Sequence, residues 1–297
     1  MRRTSLAALG ASLLVPSLFG ASPIRILIVD GQNNHDWRQT TPILRHILDE
    51  SGLFRTSLVT TPPKGADFSS FRPEFNKFQV VVSNYNDFGG GDQWPAQVQR
   101  AFEEYVHGGG GFVSYHAADN AFPNWIAYNL MIGVGGWMNR NETAGPYWYF
   151  ANGTLVADRS PGPAGSHGAR IPFPVVIQDR EHPITNGLPP VWMHAADELY
   201  SRLRGPGLHM DVLATAYSDP ANRGSGHDEP MLMALRYGKG RVFHTTLGHD
   251  AAAIECVGFI TTFLRGCEWA ATGRVTQPVP PDFPTADRVS TRHLTTQ

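Results

Sequence analysis

The sequence predicts an α/β fold, a mostly parallel sheet that is doubly wound, with helices on both faces. Three observations predict it. Apolar runs of strand length alternate with amphipathic segments of helix length along the first half of the chain. Each run stops in a polar turn, as strands buried on both faces do. The 297 residues are 41% apolar, enough for one large core.

"IRILIVDG" (24–31) is the first strand. Thr41 before Pro42 predicts a capped helix start, Ile43, Leu44, Ile47 and Leu48 form one apolar face, and Gly52 ends the helix. "RTSLVTT" (55–61) is the second strand and "FQVVVSNY" (78–85) the third. "WPAQVQRAFEEYVHGG" (94–109) is a helix with Val98, Phe102, Tyr105 and Val106 on one side. "GFVSYH" (111–116) is the fourth strand. From about Asn120 to Ser225 the rhythm is lost among glycines, prolines and aromatics, where short antiparallel strands and long covering loops fit best. Regular structure returns with "DVLATAY" (211–217), "EPMLMALRYG" (229–238) and "GRVFHTTLGHD" (240–250). A helix through Ile254, Val257, Ile260 and Leu264 follows.

Residues 1–22 have the pattern of an export signal: Arg2 and Arg3, an apolar stretch broken by Pro16, then small residues at Ala21 and Ser22. That places the mature protein in the periplasm or outside the cell, by the general or the twin-arginine route. Residues 23–275 then form one domain, and residues 276–297 an extended Pro-rich tail, lying on the surface or loose. The formal net charge is −2, and no basic stripe points to nucleic acid. No later apolar run is long enough to span a bilayer. A small-molecule ligand is the expected partner, and a homo-oligomer stays open. Cys256 and Cys267 stand eleven positions apart, about 16 Å along a helix, too far to bridge and so core or free thiols.

In an open α/β sheet, ligands bind outside the carboxyl ends of the strands. Four strand ends carry polar groups: Asn34, His35, Asp36 and Trp37 after the first, Asn84, Asn86 and Asp87 after the third, His116, Asp119 and Asn120 after the fourth, and His249 and Asp250 after "GRVFHTT". Each also has a plainer explanation. Asp36 at a helix start favours the helix dipole, and the glycines at 108–111 precede their strand, the wrong order for a phosphate cradle. His244, inside its strand, is expected to pack in the core. The middle of the chain adds Glu198 in "HAADELY" and Glu229 in "GHDEP", while Trp125, Trp137 and Trp148 are either core or sugar-stacking platforms. His35, His116 and His249 sit at three different strand ends and could converge, and three imidazoles with an open fourth position suit zinc. No HExxH, His-x-His or CxxC supports this locally, so no cofactor is certain and a divalent metal such as zinc remains the one candidate.

"GQNNHDW", "GGGGFVSYHAAD", "EHPITNGLP", "DELY" and "YGKGRVFHTTLGHD" together resemble the ThuA-like family, named for trehalose utilisation, within the class I glutamine amidotransferase-like superfamily. The resemblance runs from about Ile24 to Ala270. It implies a flavodoxin-like three-layer sandwich with a loop-rich insertion. In amidotransferases the strand-turn-helix elbow carries the catalytic cysteine; the ThuA-like pattern puts histidine there, here His116. Neither cysteine stands nearby, which excludes thioester chemistry on glutamine. The segment 125–150 lacks the histidine that many relatives carry after a Gly-Gly-aromatic turn. ThuA-like proteins are associated with disaccharide catabolism through 3-keto-glycosides.

The expectation is therefore an exported enzyme acting on a 3-keto-glycoside by proton abstraction, leading to elimination or isomerisation. His116 or His249 would be the base, His35 or a metal would face the enolate, and Glu198 and Glu229 would orient hydroxyls or protonate the leaving oxygen. His35, Asp36, Trp37, Asn86, Asp119, Asn120 and Trp125 would bind substrate. Two alternatives stand beside it. One is a non-catalytic carbohydrate-binding or envelope partner module. The other is ordinary glycoside hydrolysis, which needs two carboxylates facing one bond, about 5–9.5 Å apart. Asp197 and Glu198 would point to opposite faces of a strand, leaving Glu198 with Glu229 as the pair.

Overall fold

A computed structural model describes residues 22–294. The expected export signal lies almost wholly outside them, as do the last three residues of the tail. The first half runs β1 (Ile24–Asp30), α1 (Trp37–Glu50), β2 (Phe54–Thr60), β3 (Val80–Ser83), α2 (Ala96–His107), β4 (Gly111–Tyr115) and α3 (Ile126–Ile132). The middle supplies β5 (Tyr147–Ala151), β6 (Thr154–Asp158), β7 (Ser166–His167), β8 (Ile171–Ile177), β9 (Val191–Asp197) and β10 (Tyr200–Ser201). β11 (Met210–Tyr217), β12 (Asp228–Tyr237), β13 (Gly240–Thr245), α4 (Ala251–Ile254) and α5 (Val257–Thr272) complete it.

β2, β1, β3, β4 and β13 lie side by side in that order, all parallel. β12, β11, β8 and β9 continue the same sheet antiparallel. This is the flavodoxin-like order extended by an antiparallel wing, with the switch point beside β1. Alternate residues of one strand serve opposite faces. Ile26 and Ile28 pack with Ile43 and Leu44 of α1 and Phe259 and Phe263 of α5. Leu27 and Val29 pack with Val98 and Phe102 of α2 and Met131 of α3. Helices thus cover both faces, as the alternating pattern predicts. No helix among the described residues is long and apolar enough to cross a membrane.

Two helix boundaries differ from expectation. α1 begins at Trp37, because Asp36 rather than Thr41 caps it, its Oδ1 accepting from Gln39 N–H at 3.2 Å, and Pro42 falls inside. Thr40 and Thr41 instead accept from Asn84 Nδ2, each at 3.0 Å, tying α1 to the end of β3. The final helix is broken before Val257. Cys256 is extended there and bridges Thr291, while Val257 N–H donates to Ser290 O at 2.9 Å. The tail fills the break, and its Val279, Phe283 and Val289 pack against the core.

By pairing, β9 is the far edge of the sheet, yet its Trp192 covers α5. A Cβ added at Gly258 would stand 2.2 Å from the Trp192 ring. The antiparallel wing therefore curls back over α5 and delivers the residues after β9 to the carboxyl edge of the parallel strands. Gly258→Ala tests this contact. Overpacking a fully buried ring costs about 3 kcal/mol, against about 1 kcal/mol gained in helix propensity. A net loss of about 2 kcal/mol is expected in urea unfolding, and an unchanged midpoint would show that Trp192 can move aside.

Candidate functional site

β4 ends at Tyr115, and His116 opens the turn with φ of 43°, the left-handed region that side chains rarely adopt. This is the elbow expected of the position. The buried Nδ1 lies 2.6 Å from Thr246 O, so it carries the proton and leaves the Nε2 lone pair pointing away from the carbonyl. That Nε2 is buried and has no hydrogen-bond partner. His35, in the loop after β1, does the same with Asn33: Nδ1 faces Asn33 Oδ1 at 3.3 Å, and Nε2 lies 3.5 Å from Glu198 Oε2. His249, in the turn after β13, places Nδ1 3.1 Å from the same oxygen, off the line of a hydrogen bond. The His35 ring lies 4.9 Å from that of His116 and 4.6 Å from that of His249, edge to face.

One donor atom from each of His35, His116, Glu198 and His249 lies within 4.8 Å of the other three. A tetrahedral zinc with bonds of 2.0–2.1 Å keeps its ligand atoms about 3.4 Å apart. Lone pairs of two imidazoles and a carboxylate face one another, an arrangement that calls for a cation or protons between them. Burial above all, then the neighbouring His35, pushes His116 down to about 3, so its ring is neutral in any physiological medium. Burial works against charge on Glu198, but contacts with His249 and His35 outweigh it and hold the carboxyl well below the ordinary range. Burial likewise opposes charge on His249, and the Glu198 carboxylate more than reverses it, raising the imidazole.

His35, Glu198 and His249 line a cavity of about 400 Å³, with His116 buried against them. Asn34, Asp36 and Asn120 line it with polar groups, and Phe88, Trp137 and Tyr200 with aromatic ones. Tyr200 also packs on the His116 ring at 4.4 Å and on Trp137 at 4.7 Å. His167 completes the lining; its Nδ1 faces Gly168 O at 2.9 Å, and its Nε2 lies 3.8 Å from Glu198 Oε1.

Of the residues singled out in the sequence, Asn34, His35, Asp36, Asn120, Trp137, Glu198 and His249 line this cavity, and His116 is buried against them. The others do not line the cavity. Trp37 is half-buried under Arg38, whose guanidinium sits 4.4 Å above its ring. Asn86 is buried and braces the loops, donating to Asn33 Oδ1, Asn34 Oδ1 and Ala117 O at 2.9, 2.8 and 3.1 Å. Asp119 is buried 3.4 Å from His244 Nε2, and His244 packs in the core as expected, its Nδ1 2.8 Å from Ile132 O. Trp125 belongs to an aromatic cluster with Phe122 and Tyr128. Glu229 is fully buried, accepting from Tyr147, Ser225 and the Arg202 N–H. Sequence reasoning missed His167, Phe88 and Tyr200. His167 stands alone in a glycine-rich run without period, and Tyr200 hides in "DELY" as an apparent core residue. Cys256 and Cys267 are buried free thiols, and neither lines the cavity.

The family described as trehalose utilisation, ThuA, matches residues 25–270. The chain belongs to the ThuA family. Among solved structures it is similar to a ThuA-like protein of Parabacteroides merdae, at 49% identity over 91% of this chain and 98% of that one, with a TM-score of 0.88. It also shares its fold with a ThuA-like protein of Bacteroides uniformis, at 17% identity over 88% of this chain and 98% of that one, TM-score 0.55. No curated protein matches it significantly. Membership in the ThuA family is consistent with a part in carbohydrate metabolism.

Glu229 gives a pH test of the surrounding structure. Burial pushes its carboxyl up from 4.5 to about 7, despite hydrogen bonds from Ser225 and Tyr147. The folded state prefers the protonated form, so its stabilising contribution is complete below about pH 4.5 and is lost as pH rises to about 7. The loss is on the order of 3 kcal/mol. Glu229→Gln should flatten that window in urea unfolding at pH 5 and 7.5. Equal pH slopes for wild type and variant would place the titration elsewhere.

Proposed function

We propose that this ThuA protein is an exported, metal-dependent enzyme that abstracts the proton next to the ketone of a 3-keto-glycoside. The observation that carries the reading is the cluster of mutually facing acceptors: His35 Nε2, His116 Nε2 and Glu198, closed by His249. Three imidazoles and one carboxylate suit zinc or a similar divalent ion. A metal held there would act as a Lewis acid on a carbonyl or enolate oxygen. Export rests on the Arg2–Arg3 and apolar pattern of residues 1–22, and places the enzyme in the periplasm or outside the cell.

The remaining side chains supply what the chemistry needs. A ketone at C3 acidifies the hydrogen on C2. With its Nδ1–H given to Gly168 O, His167 keeps the Nε2 lone pair free to take that proton. In the elimination branch, the electron pair left on C2 forms the C1–C2 double bond as the C1–O bond breaks. The departing oxygen then takes a proton, giving an unsaturated keto-sugar and the free alcohol. Asn34 and Asn120 are placed to hold hydroxyls, and Trp137 offers an apolar face to the ring carbons. Glu198 has no second carboxylate opposite it in the cavity lining except Asp36, because Glu229 is enclosed elsewhere.

Metal analysis of the purified protein, with turnover of 3-keto-trehalose before and after chelation, tests this directly. One equivalent of metal and chelator-sensitive turnover are expected. His116→Ala should lose both the metal and about 100-fold or more of the activity, the several kcal/mol a Lewis acid supplies. Turnover that survives metal removal would return His116 and His249 to acid-base roles. Ligand binding with no product from any keto-sugar would favour a carbohydrate-binding module.

A further inference from the structure

We propose that Asp197 is the positioning residue of this site, a buried carboxylate that sets the spacing of Glu198 and His249 through their backbones. The inference rests on the metal-site reading above. Asp197 ends β9 and is fully buried. Its Oδ1 accepts from the N–H of Glu198 at 2.7 Å and of His249 at 3.0 Å. Its Oδ2 accepts from the N–H of Gly248 at 2.7 Å and faces His194 Nε2 at 2.8 Å. One carboxylate thus takes four donors, two of them the main-chain N–H groups of residues whose side chains converge in the cavity.

The turn it grips has little freedom. Gly248 has φ of 113°, and a Cβ there would stand 2.5 Å from the Tyr115 ring. The Tyr115 hydroxyl donates to Gly248 O from the other side. Glu198 arrives from the antiparallel wing and His249 from the parallel sheet, and no backbone pairing joins β9 to β13. Asp197 ties their two main chains together. Partners behind a metal's ligands orient those ligands, usually through a ring N–H; here the carboxylate acts on the main chain instead.

Asp197→Asn keeps the shape but turns one acceptor into a donor that confronts Gly248 N–H and His194. On the full chain, zinc affinity should fall 10–100-fold. The visible spectrum of the cobalt(II)-loaded protein should change as the ligand geometry relaxes. A residue of purely structural role would lower the unfolding midpoint while leaving zinc affinity and the cobalt spectrum of the folded protein as in wild type, and that result overturns the proposal. Tyr115→Phe removes the hydroxyl bond to Gly248 O and serves if Asp197→Asn does not fold. It should weaken zinc several-fold and shift the cobalt spectrum, and an unchanged affinity and spectrum overturns the proposal equally. Wild-type protein that takes up neither zinc nor cobalt would instead sink the metal reading itself.

Discussion

The contact of Trp192 with α5 at Gly258 is the constraint on which the site depends. The parallel sheet alone brings three histidines to its carboxyl edge, from the turns after β1, β4 and β13. Carboxylates of its own there, Asp36 and Asp250, cap helices and stay outside the cluster. The carboxylate comes from the end of a strand that is, by hydrogen bonding, the most remote in the sheet. Only because the antiparallel wing curls back over α5 does Glu198 reach His35 and His249. A helix surface smooth enough for an indole to lie on it is what the glycine at 258 provides. The wing is therefore a structural part of the site as well as its cover.

Placing these groups together is costly. Three imidazoles and a carboxylate give up water, and His116 does so in a strained backbone conformation. Such an arrangement persists when the surrounding structure over-determines it. Thr246 O fixes the tautomer of His116, Asn33 orients His35, and Asp197 pins the main chain of the other two. Each of the four residues is held, by side chain or by main chain, by a group that is not itself in the cluster. Rigidity of this kind is what a preorganised ligand set needs.

The sheet was legible in the sequence because its physics is local. "IRILIVDG" and "GFVSYH" carry their own periodicity, and the strand-end rule then located His35, His116 and His249 without any contact information. Helix ends were less legible. Thr41-Pro42 has the residue types of a cap, but Asp36 caps one turn earlier and the threonines are spent on Asn84. The break before Val257 depends on a tail residue, Thr291, which no local pattern announces. Glu198 and Glu229 look alike in sequence, each a carboxylate set among prolines and aromatics. Burial separates them: one meets histidines in a cavity, the other a tyrosine and a serine in the interior. Trp125 and Trp137 divide in the same way. His167 was invisible because a lone histidine among glycines has neither period nor spacing, and its neighbours in space come from other loops.

Histidine at the elbow answers what the turn is for. A strand that ends in a residue of positive φ thrusts that side chain over the sheet edge, whatever its chemistry. Cysteine there would meet a carbonyl as a nucleophile. An imidazole whose Nδ1 is tied to Thr246 O offers a single lone pair in a fixed direction, which suits a ligand bond better than attack on carbon. The two cysteines of this chain are enclosed at α5, and the residues that converge on the elbow are again imidazoles and a carboxylate. The backbone geometry is compatible with nucleophilic catalysis, but the side chain it presents is an imidazole with one free lone pair, set against two more imidazoles and a carboxylate.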